Sequence, residues 1–121
     1  MAENQEWTIV FYTDEQDSSP IEAFLDGLDQ KTKARFLWSI EQLRIRNVHA
    51  SEPLVKHIEG KLWELRRASD GNIYRLLYCF FTGRLIVFVH GFQKKTNKTP
   101  RREIEIAQQR MDDFIKRKGG A

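Results

Sequence analysis

Hydrophobic and polar positions change their period several times along this chain, and each change marks an element. Trp7-Thr8-Ile9-Val10-Phe11-Tyr12 is rich in β-branched and aromatic residues and runs into the polar cluster Thr13 to Ser18, which predicts a first strand. Ser19-Pro20-Ile21-Glu22 then supplies an N-cap serine, a first-turn proline and a capping-box glutamate. Ile21, Phe24, Leu25 and Leu28 form the apolar stripe of a short helix. After Asp29 there is no proline until Pro53, and Ala34, Phe36, Leu37, Ile40, Leu43 and Arg44 recur at spacings of three and four, predicting a longer helix to near Asn47. From Leu62 the period is two, with Trp63 and Leu65 alternating against Glu64 and Arg66 as in a half-buried strand. An Asp70-Gly71 turn signal leads into Ile73 to Phe81, apolar enough for a central strand covered on both faces. Thr82-Gly83 connects it to a further strand, Leu85 to Phe92. Thr99-Pro100 reads as a cap and first-turn proline, and Ile104, Ala107, Met111 and Phe114 carry a last helix to Lys116-Arg117-Lys118, before Gly119 and Gly120.

The predicted order is β-α-α-β-β-β-α: an α+β domain with an N-terminal helical hairpin and a C-terminal helix packed on a small, antiparallel-dominated sheet. The first strand joins through the helical crossover, with its direction open. The 121 residues, 40% of them hydrophobic, suffice for one domain, residues 1–121, and not for two cores. The longest apolar run, Leu85 to Val89, is far short of the roughly 20 residues that span a bilayer. The acidic start Met1 to Glu6 does not read as a signal peptide. The single cysteine, Cys79, has no intramolecular partner and apolar neighbours, so it is expected in the core of a cytoplasmic protein.

Charge sharpens the picture. Net charge is +3, yet residues 56–102 hold eleven basic side chains against Glu59, Glu64 and Asp70. Residues 1–55 are net acidic, and the helical hairpin is expected to carry most of that acid while leaving the basic segment exposed elsewhere. A polycationic segment repays its self-repulsion by attracting a polyanion, phosphate backbones above all; a solvated basic face without a ligand is the plainer alternative.

Phosphate-binding glycine loops are absent, His49, His57 and His90 lack metal-motif spacing, and neither the serines nor Cys79 sit in a nucleophile motif. No metal or cofactor is expected. Arg75, inside the most apolar strand, needs an anion, either Glu64 or an acidic helix residue, or a phosphate gripped bidentately. Arg66 and Arg67 precede the Asp-Gly turn and are expected to share a surface with Arg75, with Lys94, Lys95 and Lys98 in the following loop. Such a cluster suits attack of an RNA 2′-hydroxyl on its own phosphate, where the protein supplies alignment, charge stabilisation and proton transfer. Phe92, with His90 and Tyr74 behind it, offers a ring for base stacking, or else packs in the core.

Leu62-Trp63-Glu64-Leu65-Arg66, Tyr74-Arg75-Leu76-Leu77-Tyr78 and His90-Gly91-Phe92-Gln93-Lys94-Lys95-Thr96-Asn97-Lys98-Thr99-Pro100, followed by Glu103-Ile104 and Ala107, resemble the HigB-like, phage-derived branch of the RelE/ParE toxin superfamily. The resemblance covers roughly residues 7–115. It implies a RelE-like fold and a type II toxin that cuts mRNA on the ribosome and is neutralised by a helix-turn-helix antitoxin. Carried over, Arg66 and Arg75 clamp the scissile phosphate, Lys94 or Lys95 stands for the basic group late in the last strand, and Lys61, Arg67 and Lys98 hold flanking RNA or ribosomal RNA. Glu64 replaces a lysine of the RelE pattern, which leaves the proton acceptor open between Glu64, itself able to pair with Arg75, and His57. On this reading Arg75→Ala relieves growth arrest with the fold intact. A ParE-like gyrase inhibitor and a non-catalytic nucleic-acid-binding module are the alternatives.

Overall fold

The computed structural model describes residues 6–46, 55–94 and 98–118. Within them lie strand β1 (Thr8–Phe11), helices α1 (Pro20–Asp26) and α2 (Gln30–Arg46), strands β2 (Val55–Glu59), β3 (Leu62–Ser69), β4 (Asn72–Phe81) and β5 (Leu85–Lys94), and helix α3 (Arg101–Lys118). The strands form one sheet in the order β1-β5-β4-β3-β2. The expected α+β architecture is therefore present, with one strand more than the sequence pattern indicates.

That extra strand, β2, pairs antiparallel with β3, and its register shifts between His57 and Glu59. No alternation is visible because β2 offers one apolar residue to each face: Val55 packs with the core on one side of the sheet and Ile58 with that on the other, while Lys56, His57 and Glu59 are polar.

Strands β3, β4 and β5 form the expected meander. Asp70 and Gly71 both have positive φ, 52° and 80°, and Ser69 pairs with Asn72, so the connection is a two-residue turn whose twist matches the flanking strands. Strand β1 runs parallel to β5, Thr8 beside Leu85 and Phe11 beside Phe88. Ser19 accepts from the Glu22 amide at 3.2 Å and caps α1, as its sequence suggests. Asp29, just before α2, accepts from the Thr32 amide at 3.1 Å and hydroxyl at 2.6 Å, bonds that hold its carboxyl below the usual range.

Helices cover both faces. On one, Ile21 and Leu25 of α1 and Phe36, Ile40 and Leu43 of α2 pack on Val55, Leu65, Leu76, Tyr78, Ile86 and Phe88. On the other, Ile104, Ala107, Met111 and Phe114 of α3 pack on Leu62, Leu77, Cys79, Val87, Val89 and Phe92. Burial pushes the Cys79 thiol up to about 11, the state of an inert core residue. The end of α3 is clasped to the segment after β1: the Tyr12 hydroxyl donates to Asp113 at 2.6 Å, and Arg117 donates to Asp113 and to the Thr13 carbonyl. Among the described residues, no helix is long and apolar enough to cross a membrane.

Gly91, paired with Leu76 in the sheet, lets α1 come close: a Cβ there would lie 2.5 Å from the Phe24 ring and 3.0 Å from Leu76. Gly91→Ala is expected to cost about 1–3 kcal/mol through overpacking, read as a lower urea midpoint with an unchanged slope.

Candidate functional site

Strand pairing aligns the charged residues in rows on the α3 face of the sheet. Arg66 of β3 stands opposite Arg75 of β4, which stands opposite Phe92 of β5. One row along, Lys56 faces Glu64, Glu64 faces Leu77, and Leu77 faces His90. On the other side of the arginine row, Ile73 faces Lys94. Period-two geometry thus gathers Arg66, Arg75, Lys94, Glu64 and Phe92 on one face, beneath and beside the start of α3.

The centre of this face is a buried ionic frame. Glu64 and Arg75 are both fully buried. Arg66 Nε donates to Glu64 Oε1 at 2.5 Å, the Thr99 hydroxyl donates to Glu64 Oε2 at 2.6 Å, and an Arg75 terminal nitrogen donates to the Thr99 oxygen at 3.3 Å while lying 3.8 Å from Glu64. Burial lowers the Arg75 pKa from its ordinary value, Glu64 opposing the shift and the Arg66 cation adding to it. The arginine also lies over the Phe92 ring, 5.8 Å from its centroid. One carboxylate therefore serves two guanidinium groups, with a threonine from the segment leading into α3 closing the circuit. The Thr99 hydroxyl reaches across to the sheet and is not simply a helix cap; α3 itself begins at Arg101, with the Pro100 carbonyl accepting from the Ile104 amide at 3.2 Å.

This burial alters several expectations. The alternation of Glu64 and Arg66 against Trp63 and Leu65 does not separate solvent from core, because Thr99 and α3 cover the polar side too. Both Glu64 oxygens are engaged and shielded from solvent, a poor state for a proton acceptor. Arg75 is a framing residue in this conformation, not an exposed phosphate clamp, and its truncation is not expected to leave the fold intact. Phe92 is 8% exposed and packs in the α3-side core, so the packing alternative describes it and base stacking does not. His57 packs its ring, tilted, against Trp63 with centroids 4.9 Å apart, and its Nε2 bonds the Gly60 carbonyl at 2.8 Å, so its ring belongs to the opposite face from Glu64.

Arg67 does not join Arg66 and Arg75. Both arginines lie within β3, and alternation sends Arg67 to the α2 face, where it donates to the Ser39 hydroxyl through Nε at 3.1 Å and a terminal nitrogen at 2.6 Å. Lys61 occupies the turn before β3, about 16 Å along the strand from Arg66. Lys95 lies outside the described residues. Lys98 is exposed and lines a cavity of about 370 Å³ together with Lys56, His57, Ile58, Thr99 and Ile104. Among the described residues, no three His, Cys, Asp or Glu side chains gather closely enough to hold a metal ion.

A family model described as phage-derived protein Gp49-like (DUF891) matches residues 23–112. The chain belongs to this family. Gp49-like proteins are part of the RelE/HigB-type toxin family, which implies an antitoxin partner. No curated protein sequence matches the chain.

Several site residues of this Gp49-like protein escape sequence reading. Lys56 belongs to the unrecognised strand, and Thr99 reads only as a cap, although two buried charges in neighbouring strands demand such a polar partner. Behind the frame, His90 accepts at Nδ1 from Arg110 at 3.1 Å; arginine only donates, so Nε2 carries the proton and donates to Glu103 at 2.6 Å. His90 stacks on Phe92 at 5.4 Å and tethers β5 to α3.

Removing the shared carboxylate strands Arg75 in the interior, so Glu64→Ala is expected to lose about 3–5 kcal/mol in denaturant unfolding. Burial, with Arg110 adding to it, lowers the His90 pKa below 6.5 despite Glu103. The native state then binds this proton less readily than the unfolded chain. Stability is intact above about pH 6.5 and declines as pH falls from there toward the native pKa. An imidazole NMR titration midpoint below 6.5, and a shallower acid decline in His90→Gln, are the expected outcomes.

Proposed function

We propose that this protein is the toxin of a toxin–antitoxin pair and cleaves messenger RNA on the ribosome, with the substrate's own 2′-hydroxyl as nucleophile. One observation carries the reading: Lys56, Arg66 and Lys94 rise from three strands onto the same sheet face, with Lys98 beside them at the entrance to α3. From the strand spacing, Lys56 and Lys94 mark a diagonal about 20 Å long with Arg66 between them, the scale of a few nucleotides. Lys56, Lys94 and Lys98 are exposed, and a fifth of the Arg66 side chain is.

In the reaction, the 2′-oxygen attacks the adjacent phosphorus and its proton passes to water. The bond to the 5′-oxygen breaks, and that oxygen takes a proton from the Lys94 ammonium, which is recharged from solvent. The products are a 2′,3′-cyclic phosphate and a 5′-hydroxyl. Arg66 stabilises the charge that develops on the phosphorane oxygens, a contribution usually of order 10²–10³ in rate for one well-aimed donor. Glu64 holds Arg66 by Nε, and Arg75 and Thr99 hold Glu64, so the buried frame aims the reacting cation. Lys56 and Lys98 bind flanking phosphates.

Induced expression followed by mapping of transcript 5′ ends tests this. Cuts that require translation initiation are expected, falling about 100-fold or more in Lys94→Ala with an unchanged thermal midpoint, and in Arg66→Ala together with a lowered midpoint, because Glu64 then loses a partner. Intact transcripts with salt-sensitive RNA binding would reassign the face to binding alone, and intact transcripts with DNA damage would point to gyrase inhibition.

A further inference from the structure

Helix α2 carries two apolar stripes, and the fold uses one. Phe36, Ile40 and Leu43 are buried against the sheet, whereas Leu37, Trp38 and Ile45 are 45%, 58% and 43% exposed. With exposed Ala34 they recur at spacings of three, four and seven, which is a line along one side of a helix about 25 Å long. Glu41 interrupts the line, but Arg44 clamps its carboxylate and also reaches Glu6 at 2.5 Å. Three large hydrophobic side chains left together on one helix make a patch of the kind that marks a protein interface.

The border of the patch says what covers it. Arg67, anchored on Ser39, lies over the Trp38 ring with its guanidinium carbon 6.0 Å from the centroid. Arg35 of the same helix reaches toward the Ala68 carbonyl beside Arg67, near enough for the two cations to repel. Lys31 and Lys33 extend the positive edge, Lys33 being tied to Asp26 at 2.8 Å. The expectation that the helical hairpin concentrates acid is thus corrected: along α2, Lys31, Lys33, Arg35, Arg44 and Arg46 oppose Glu41 alone, and the acid lies mainly in the loop and helix before it. A second copy of the chain would lay one basic helix against another. An RNA would leave the aliphatic Leu37 and Ile45 without a favourable contact. An apolar stripe edged with cations instead matches a helix with an apolar stripe edged with carboxylates.

We propose that the outward stripe of α2, centred on Trp38 with Leu37 and Ile45, is the dock for an acidic amphipathic helix of the antitoxin, on the sheet face opposite the basic cleft. The antitoxin's identity as partner rests on the toxin reading; the stripe, its cationic edge and the helix it fits do not.

The test co-expresses the full chain with the full product of the adjoining gene, taken as the antitoxin, and scores growth rescue and co-elution. Wild type should arrest growth, be rescued and co-elute. Leu37→Asn with Trp38→Glu should still arrest growth, keep its thermal midpoint, lose rescue, and bind at least about 30-fold more weakly, the loss expected for a central tryptophan. Trp38→Phe should retain most of the binding. Unchanged binding of the double variant overturns the proposal, as does a wild type that fails to co-elute. A double variant that no longer arrests growth yet still binds the antitoxin would turn the stripe toward the ribosome. A wild-type dimer that the double variant dissolves would give the stripe to a second copy. If wild type fails to arrest growth, the toxin reading fails, and the co-elution comparison still decides the dock.

Discussion

A single buried carboxylate organises the functional end of this protein. Glu64 is held by Arg66 on one oxygen and by Thr99 on the other, and Arg75 joins through Thr99. Bringing three charges out of water is expensive, and their mutual attraction repays it only when the geometry leaves no member stranded. The frame meets that condition by drawing on β3, β4 and the approach to α3, and so ties two paired strands to the segment that leads into the last helix. Its energetic value is therefore bound up with position: it fixes how the last helix seats on the sheet and where the exposed cations around it stand.

Much of the fold is legible from residue order. The Ser19-Pro20 start of α1, the Asp70-Gly71 turn and the apolar run of β4 are local signals with local causes, and each appears where the pattern puts it. Strand β2 is hidden because it offers a single apolar residue to each face, Val55 to one and Ile58 to the other among polar neighbours, so neither period can be read. The direction of β1 depends on pairing with a strand near the other end of the chain, and nothing local encodes that. The site is legible in kind and partly in membership. Alternation assigns Arg66 and Arg75 to one face, but it also separates Arg67 from them, a consequence that adjacency in sequence conceals. Whether a charged side chain is exposed depends on what covers it, and Thr99 and α3, not any feature of Glu64 or Arg75 themselves, decide that both are buried.

The two faces of the sheet differ in what they leave uncovered. On the α3 face, Ile104, Ala107, Met111 and Phe114 are buried against the sheet and cations ring its open end. On the α2 face, Phe36, Ile40 and Leu43 are buried likewise, yet the helix retains a second apolar edge that stays exposed. A domain of this size needs only one face of each helix for its core, so a helix with two such edges answers to a constraint from outside the chain.

The parallel pairing of β1 with β5 carries a temporal consequence. Strand β1 finds its neighbour only after helices α1 and α2 and the three strands β2, β3 and β4 have been made, and its clasp to α3 through Tyr12 and Asp113 later still. Contacts between such remote segments form slowly, because the intervening loop must close before they reward it. A growing chain of this protein therefore remains without its finished sheet edge until β5 has been made.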